Sequence, residues 1–304
     1  MKRIPVFLKV LLTALLVMLL VKTFAFTSCS IPSTGMENTL YQGEKVLVNK
    51  WSYGLRIPFT SSHFMAERVR RGDVVLFNNP APSDPETPVY ARGLFISRCV
   101  GIPGDTLMLN SDLLVTGQKV LSPDSKQLYA YPLQQEDTLK QALRQLGIED
   151  NPLVGYSEGR YMRSFSHYEH YLLKQRLGDS LDIQPVHTND TTDSHPLVIP
   201  SKGKSVKVYP WNVTLLCNTI LHHEGRRASV QGDTLWVDGK PATDYTFRKD
   251  YYWMASNNPV NLADSRLFGL VPHDHLVGRA AYIWYSSRKE RIFQPVQLWK
   301  TPSI

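Results

Sequence analysis

The residues best suited by type to chemistry sit in a few short runs. Ile31-Pro-Ser-Thr-Gly-Met-Glu-Asn-Thr-Leu40 offers the hydroxyls of Ser33 and Thr34 beside Gly35. A hydroxyl is a poor nucleophile until an adjacent base takes its proton. A lysine does this only when desolvation keeps it neutral near pH 7. The nearest lysines downstream, Lys45 and Lys50, belong to the next strand-like run. His222-His223 and His273-x-His275 are two histidine pairs without a carboxylate pattern. They read as surface histidines, and neither a metal nor another cofactor is expected. Cys29, Cys99 and Cys217 fit no zinc or CxxC spacing. Their odd number argues against a full disulfide framework. It leaves a single Cys99–Cys217 pair or, the preferred reading, buried free thiols.

The elements that must position these residues begin with a membrane anchor. Met1-Lys2-Arg3 precedes a mostly apolar run from Ile4 to about Phe26, and its centre, Val10 to Val21, contains only Thr13 as a polar residue. A helix of about 20 residues spans the hydrocarbon layer. Lys9 and Lys22 lie toward the ends, where long side chains snorkel to the interface. Lys2 and Arg3 favour an N-in orientation, which places everything after Thr27 outside the cytoplasm. A cleavable signal peptide would want small residues where Phe26-Thr27-Ser28 stands. A lipidated Cys29 would want an aliphatic residue in place of Phe26. An uncleaved anchor over residues 1–27 is the expectation. Trp51, Phe59 and Phe64 either dip into the bilayer interface or pack in the core.

The 304 residues, 42% apolar and 20% charged, suit a folded chain with a substantial core and argue against disorder. The formal charge of +7 is scattered, with no basic stretch interleaved with aromatics. That argues against a nucleic-acid partner and suggests at most a mild attraction to an anionic membrane surface. Strand-like runs follow the anchor at Lys45–Asn49, Asp73–Phe77, Gly93–Val100, Thr106–Leu109, Thr234–Val237, Tyr251–Met254 and Ala281–Tyr285. Asp238-Gly239 is a hairpin signal. The middle of the chain differs. Leu139, Leu143 and Leu146 fall at helical spacing before Gly147, His167–Leu177 reads as a second helix, and Trp211–His223 as a third. Asp179–Lys204 is rich in Asp, Thr, Ser and Pro and reads as a loop.

Four segments stand out in order: Ile31–Leu40, Arg71-Gly-Asp-Val-Val-Leu-Phe77, Ser97-Arg-Cys-Val-Gly-Ile-Pro-Gly-Asp105 and Ala263-Asp-Ser-Arg-Leu-Phe-Gly-Leu-Val-Pro272. Their order, their spacing and the preceding anchor resemble the type I signal peptidases, which cleave signal peptides from exported preproteins with a Ser-Lys dyad. The resemblance covers Lys22 to about Leu109 and about Gly232 to Trp284. It implies a mainly β fold of coiled antiparallel sheets over 28–109 and 232–304, interrupted by an inserted α/β region over 110–231 with short helices. It also implies a single-pass protein of the cytoplasmic (inner) membrane, with its bulk on the outer or periplasmic side.

The resemblance fails at the catalytic positions. The family's first motif reads roughly Pro-Ser-x-Ser-Met with the second serine as nucleophile, and Gly35 stands at that position in Pro32-Ser33-Thr34-Gly35-Met36. The third motif begins Lys-Arg with the lysine as base, and Ser97 stands there before Arg98. The fourth usually reads Gly-Asp-Asn-Arg-x-x-Ser-x-Asp-Ser-Arg. Its first four positions fall on Ser256-Asn257-Asn258-Pro259, and the hydroxyl that positions the lysine falls on Leu262. Arg98, Gly101, Pro103, Gly104, Asp105, Asp264 and Arg266 match. The resemblance assigns Ser33 and Met36 to the oxyanion hole and groove, and Arg98, Asp264, Ser265 and Arg266 to support of the site.

The substitutions agree physically. Without the lysine, its hydroxyl partner would be an unpaired buried group costing about 1–3 kcal/mol. Losing one member of a catalytic unit costs up to about a millionfold in kcat, after which further losses cost little. Ser33 lies two residues from the gap, a shift of about 6–7 Å along a strand, too far for attack geometry. The expectation is a pseudopeptidase that keeps its groove and binds signal peptides of exported preproteins or an active signal peptidase. An active peptidase with an unusual nucleophile and a purely structural membrane protein are the alternatives.

Overall fold

The computed structural model describes residues 5–20, 25–56, 63–64, 68–110, 112–116, 125–148, 151–186, 194–260 and 263–296. Helix α1 (Val6–Leu20) follows Pro5, a residue well suited to opening a helix. Every described large apolar side chain from Phe7 to Leu19 is exposed. The 15 residues of α1 are about 22 Å long, against about 30 Å for a hydrocarbon core. Among the described residues no helix is long and apolar enough to cross a membrane. Residues 1–4 and 21–24, with Lys2, Arg3 and Lys22, lie outside the described residues, and the expected C-terminal end of the anchor is corrected: Phe26 and Thr27 belong to the strand Phe26–Ser30.

The elements used below run β1 (Phe26–Ser30), β2 (Lys45–Asn49), β3 (Val74–Asn78), β4 (Leu94–Gly101), β5 (Thr106–Leu109), β6 (Lys126–Pro132), α2 (Glu136–Gln145), β7 (Arg160–Ser166), α3 (His167–Leu177), β8 (His195–Val198), α4 (Val213–His223), β9 (Thr234–Val237), β10 (Tyr251–Ala255), α5 (Ser265–Phe268) and β11 (Leu276–Tyr285). The largest sheet has the order β1-β2-β11-β3-β4-β10, with the two-residue strand Val271–Pro272 beyond β10. All of its pairings are antiparallel. Register shifts along β11 against both β2 and β3 bend the sheet. Gly278 marks one of these places, where a Cβ would meet the Asn49 carbonyl oxygen at 2.5 Å. The fold is mainly β with several antiparallel sheets, consistent with the signal peptidase type.

All five residues of β3 are buried. Alternate side chains of a strand point to opposite faces, so β3 serves two cores. Val74 and Leu76 join Ile31, Met36, Leu40 and Ile96 on one side. Val75 and Phe77 join Tyr53, Cys99, Tyr252 and Met254 on the other. A third core gathers Leu107, Leu216, Ile220, Leu235 and Trp253 around α4. The loop expected over Asp179–Lys204 is corrected here. Residues 195–198 form β8, which pairs with β5 and buries Leu197 completely. The polar composition masked this strand and the two-residue strand Gln184–Pro185, whose partners lie far off in sequence, and residues 187–193 lie outside the described set. The Asp238-Gly239 hairpin forms between β9 and Lys240–Ala242, with φ of 49° and 79° at the two turn residues, as a type I′ turn requires.

A fourth core belongs to β6, β7, α2 and α3, and contains Tyr129, Tyr131, Leu139, Phe165 and Leu173. α3 opens with a capping box in which the Ser166 hydroxyl accepts the Glu169 N–H at 3.2 Å and Glu169 accepts the Ser166 N–H at 2.6 Å. The three cysteines are free thiols, with Cys99 and Cys217 buried in different cores. Trp51 is exposed and stacks on Phe26 with ring centroids 6.5 Å apart. Phe59 and the side chain of Phe64 lie outside the described set.

The reading of the histidines as surface groups is corrected in part. His222 is exposed, but His223 and His275 are buried with ring centroids 5.2 Å apart. His275 Nε2 lies 3.1 Å from Arg92 Nη1, and His275 Nδ1 lies 2.8 Å from Asp274 Oδ1. Arginine only donates, so Nε2 is the acceptor and Nδ1–H donates to Asp274.

The fourth core carries a titratable lock. Burial disfavours ionised Glu136, but hydrogen bonds from Tyr131, Lys140 and Arg163 outweigh it and hold the carboxyl down at about 2. A depressed carboxylate contributes stability above its unfolded value, and this is lost as pH falls through the folded one. The stability difference between the native chain and Glu136→Gln, read as the shift in urea midpoint, is expected to shrink from about pH 4.5 toward pH 2. A difference that stays constant across that window would refute the assignment.

Candidate functional site

Three stretches of chain converge beside β4. After β1 the chain enters a loop closed by hydrogen bonds from Ile31 N–H to the Glu44 carbonyl and from Gly43 N–H to the Ile31 carbonyl, both 2.9 Å. Inside the loop Ser33 caps the 3-10 turn Thr34–Met36, its Oγ accepting the Gly35 N–H at 3.4 Å. Gly35 and Met36 are buried. Gly35 is not among the described glycines with positive φ. Its backbone is one that any residue adopts, so the turn itself does not demand the missing side chain.

The second stretch is β4. Ser97 is fully buried, and its hydroxyl donates to the Ala263 carbonyl at 2.8 Å. Arg98, also buried, donates to the Gly72 carbonyl at 2.9 Å, to Thr39 Oγ1 at 2.6 Å and to Asn257 Oδ1 at 3.4 Å.

The third stretch runs from β10 to α5. Asp264 is fully buried and caps α5. Its Oδ1 accepts the Arg266 N–H at 3.0 Å, and its Oδ2 accepts the Ser256 N–H at 2.6 Å and Arg266 Nη2 at 2.5 Å. The Ser265 hydroxyl accepts the Met254 N–H at 2.8 Å.

Between these stretches lies a cavity of about 260 Å³. Its walls include Cys29 to Ser33, Gly35, Met36, Leu76, Leu94 to Ile96, Ser256 and Ala263. Gly35, Ser33 and Met36 therefore meet at one mostly apolar cavity. Ser97 is not among its lining residues; it stands opposite Val75 in register and reaches the wall only through the Ala263 carbonyl. Arg98, Asp264, Ser265 and Arg266 brace the segments behind it. Leu262 lies outside the described residues.

Two strand edges border the cavity. β1 ends the order of the large sheet. β10 pairs with β4 only over Arg98–Gly101, so the Leu94–Ile96 edge has no strand partner on that side among the described residues. An extended peptide laid between such edges gains main-chain hydrogen bonds, and the cavity receives its side chains.

Sequence reasoning did not place two groups at this site. Cys29 is a half-buried thiol in the cavity wall. Glu37 and Lys126 form an ion pair of 2.8 Å with both side chains 2% exposed. A charged residue inside an otherwise uncharged motif was a visible signal for Glu37. Nothing in sequence pointed to Lys126, 89 residues away.

The signal peptidase (peptidase S26) family model matches residues 5–162 and 218–285. The chain belongs to that family. It is 26% identical over 275 residues to the signal peptidase I of Buchnera aphidicola subsp. Schizaphis graminum, covering 90% of this chain and 72% of the relative. It is 26% identical over 287 residues to the signal peptidase I of Haemophilus influenzae, covering 93% and 70%. With the signal peptidase I of Pseudomonas fluorescens it shares 37% identity over 109 residues, 35% of this chain and 36% of the relative.

Burial raises the Cys29 thiol pKa, and burial holds the Cys99 thiol higher still. Only Cys29 opens to the cavity. A thiol reagent is expected to modify one thiol per native chain, all three after unfolding, and none in native Cys29→Ser. Fast modification of Cys99 or Cys217 in the native chain would contradict the cavity geometry.

Proposed function

We propose that this chain is a membrane-anchored pseudopeptidase that holds the signal peptides of exported preproteins in its groove without cleaving them. The observation that carries the reading is that a glycine occupies the nucleophile's place in the cavity wall. The residue in the base's place supports it: a buried serine whose hydroxyl is spent on the Ala263 carbonyl. A seryl ester cannot form at Gly35. Ser97 has no amine to take a proton. Ser33 is committed to the turn as its cap. What the groove retains is the means to bind: an apolar cavity and two strand edges.

The anchor is part of the proposal. α1 exposes a mostly apolar surface, interrupted by Lys9 and Thr13. A bilayer is the solvent that suits such a surface. Lys2 and Arg3 set the N-terminus inside and the bulk on the outer or periplasmic face of the cytoplasmic membrane. After alkaline carbonate washing, the chain is expected to stay with the membranes, and external protease should digest its body in spheroplasts. Release by carbonate, or full protection from protease, would overturn the topology.

A preprotein cleavage assay in detergent tests the central claim. The native chain is expected to release no mature product, while a preprotein carrying a photocrosslinker in its signal peptide labels the region around Ser33. The triple variant Gly35→Ser, Ser97→Lys, Leu262→Ser is expected to gain cleavage. Cleavage by the native chain, abolished in Ser33→Ala, would instead identify an unusual nucleophile. Absence of any crosslink would leave a structural membrane protein.

A further inference from the structure

We infer that Lys126 is a positioning residue through which the unit built on β6, β7, α2 and α3 sets the geometry of the cavity beside Gly35. Lys126 is the first residue of β6, and it holds two of the converging stretches at once. Its Nζ donates to Glu37 Oε2 at 2.8 Å, which fixes the residue after the Gly35 turn. Its backbone N–H donates to the Asn257 carbonyl at 2.6 Å, which fixes the stretch after β10. Those two stretches are themselves cross-linked around Gly35. Asn258 N–H donates to the Gly35 carbonyl at 2.9 Å, Asn258 Nδ2 to Glu37 Oε2 at 3.0 Å and Asn257 Nδ2 to the Glu37 carbonyl at 3.0 Å.

The other end of the same strand is fixed elsewhere. Tyr129 and Tyr131 belong to the separate core of that unit, and all of β6 is paired with β7. At about 3.3 Å per residue the strand carries any displacement of that core to Lys126 within about 10–17 Å. The choice of a charged pair sharpens the coupling. A lone buried charge is costly, whereas a pair replaced at both ends by uncharged groups is often tolerated. Lys126 and Glu37 must therefore stay together, and so must the elements that carry them.

The thiol of Cys29 lines the same cavity and reports on it without peptide or catalysis. The experiment measures the rate of Cys29 modification by a small disulfide reagent in the full chain in detergent. Lys126→Met and Glu37→Gln are each expected to change the rate about tenfold or more, since a lone buried charge forces its surroundings to rearrange. The double variant Lys126→Met, Glu37→Leu is expected to return to within about threefold of native. Asp274→Asn breaks the Lys249–Asp274 ion pair, neither member of which lines the cavity, and should leave the rate at its native value. Asn258→Ala keeps the pair, removes one link to Glu37 and is expected to shift the rate in the same direction by a smaller factor. It decides the matter should a single-charge variant fail to fold. Native rates in the folded Lys126→Met, Glu37→Gln and Asn258→Ala chains would overturn the inference, as would an equal shift in Asp274→Asn. The consequence for peptide binding rests on the function proposed above. Signal-peptide affinity is measured on the same set, and a native chain that binds no peptide would remove that function while the thiol rates still decide the role of Lys126.

Discussion

The structure depends on one constraint, the burial of β3 on both faces. Val74, Val75, Leu76, Phe77 and Asn78 all lie in the interior, so the strand has neither a solvent face nor a free edge. Its backbone groups must be satisfied by β11 on one side and β4 on the other, and its side chains must divide between two cores. The pairing Val75↔Ser97 and Leu76↔Ile96 follows. A slip of one residue would send every side chain to the wrong face. The same register puts Ile96 in the cavity wall and leaves Ser97 to reach it through the Ala263 carbonyl, so the packing of β3 decides what the cavity can contain.

Around that frame the site consists of satisfied polar groups. Asp264 has no exposure, yet it receives two backbone N–H groups and a guanidinium. Such a set of donors offsets the cost of burying a carboxylate. Arg98 binds a carbonyl, a hydroxyl and a side-chain amide from three different stretches. Arg71 meets Asp105 with two bonds of 2.5 and 2.6 Å, in a fork geometry that lysine could not reproduce. These groups order the backbone about the cavity, and none of them acts through the side chain at position 35 or 97.

Much of this was legible in the chain. Lys45–Asn49, His167–Leu177 and the Asp238-Gly239 hairpin appear where period, capping and turn chemistry place them, because each is decided by neighbours in sequence. The motif residues identified the family but not the local backbone: Ser33 and Gly35 read as positions along a strand, whereas Thr34–Met36 is a 3-10 turn capped by Ser33. What stayed hidden depends on distant partners. β8 exists because β5 offers it an edge. His275 is buried against Arg92, 183 residues earlier, which donates to its Nε2. Lys126 enters the site because β6 ends where Glu37 stands, and nothing local to Lys126 distinguishes it from a solvated lysine.

Under the function proposed above, the separation of scaffold from chemistry explains how Gly35 and Ser97 can stand at the dyad positions in a well-packed site. A dyad lysine must be held neutral by desolvation, which makes the folded chain less stable than one carrying a small, fully bonded group there. Ser97 is such a group: its single donor is matched by the Ala263 carbonyl, and no charge has to be excluded. Gly35 likewise leaves the turn intact, since its backbone is ordinary and the Ser33 cap does not use it as a side chain. Once the first of the pair is gone, the second confers almost no rate and still costs stability. On that proposal, the packing of β3 and the cap at Asp264 favour small, satisfied groups at positions 35 and 97, with the scaffold around the cavity kept because it is structural.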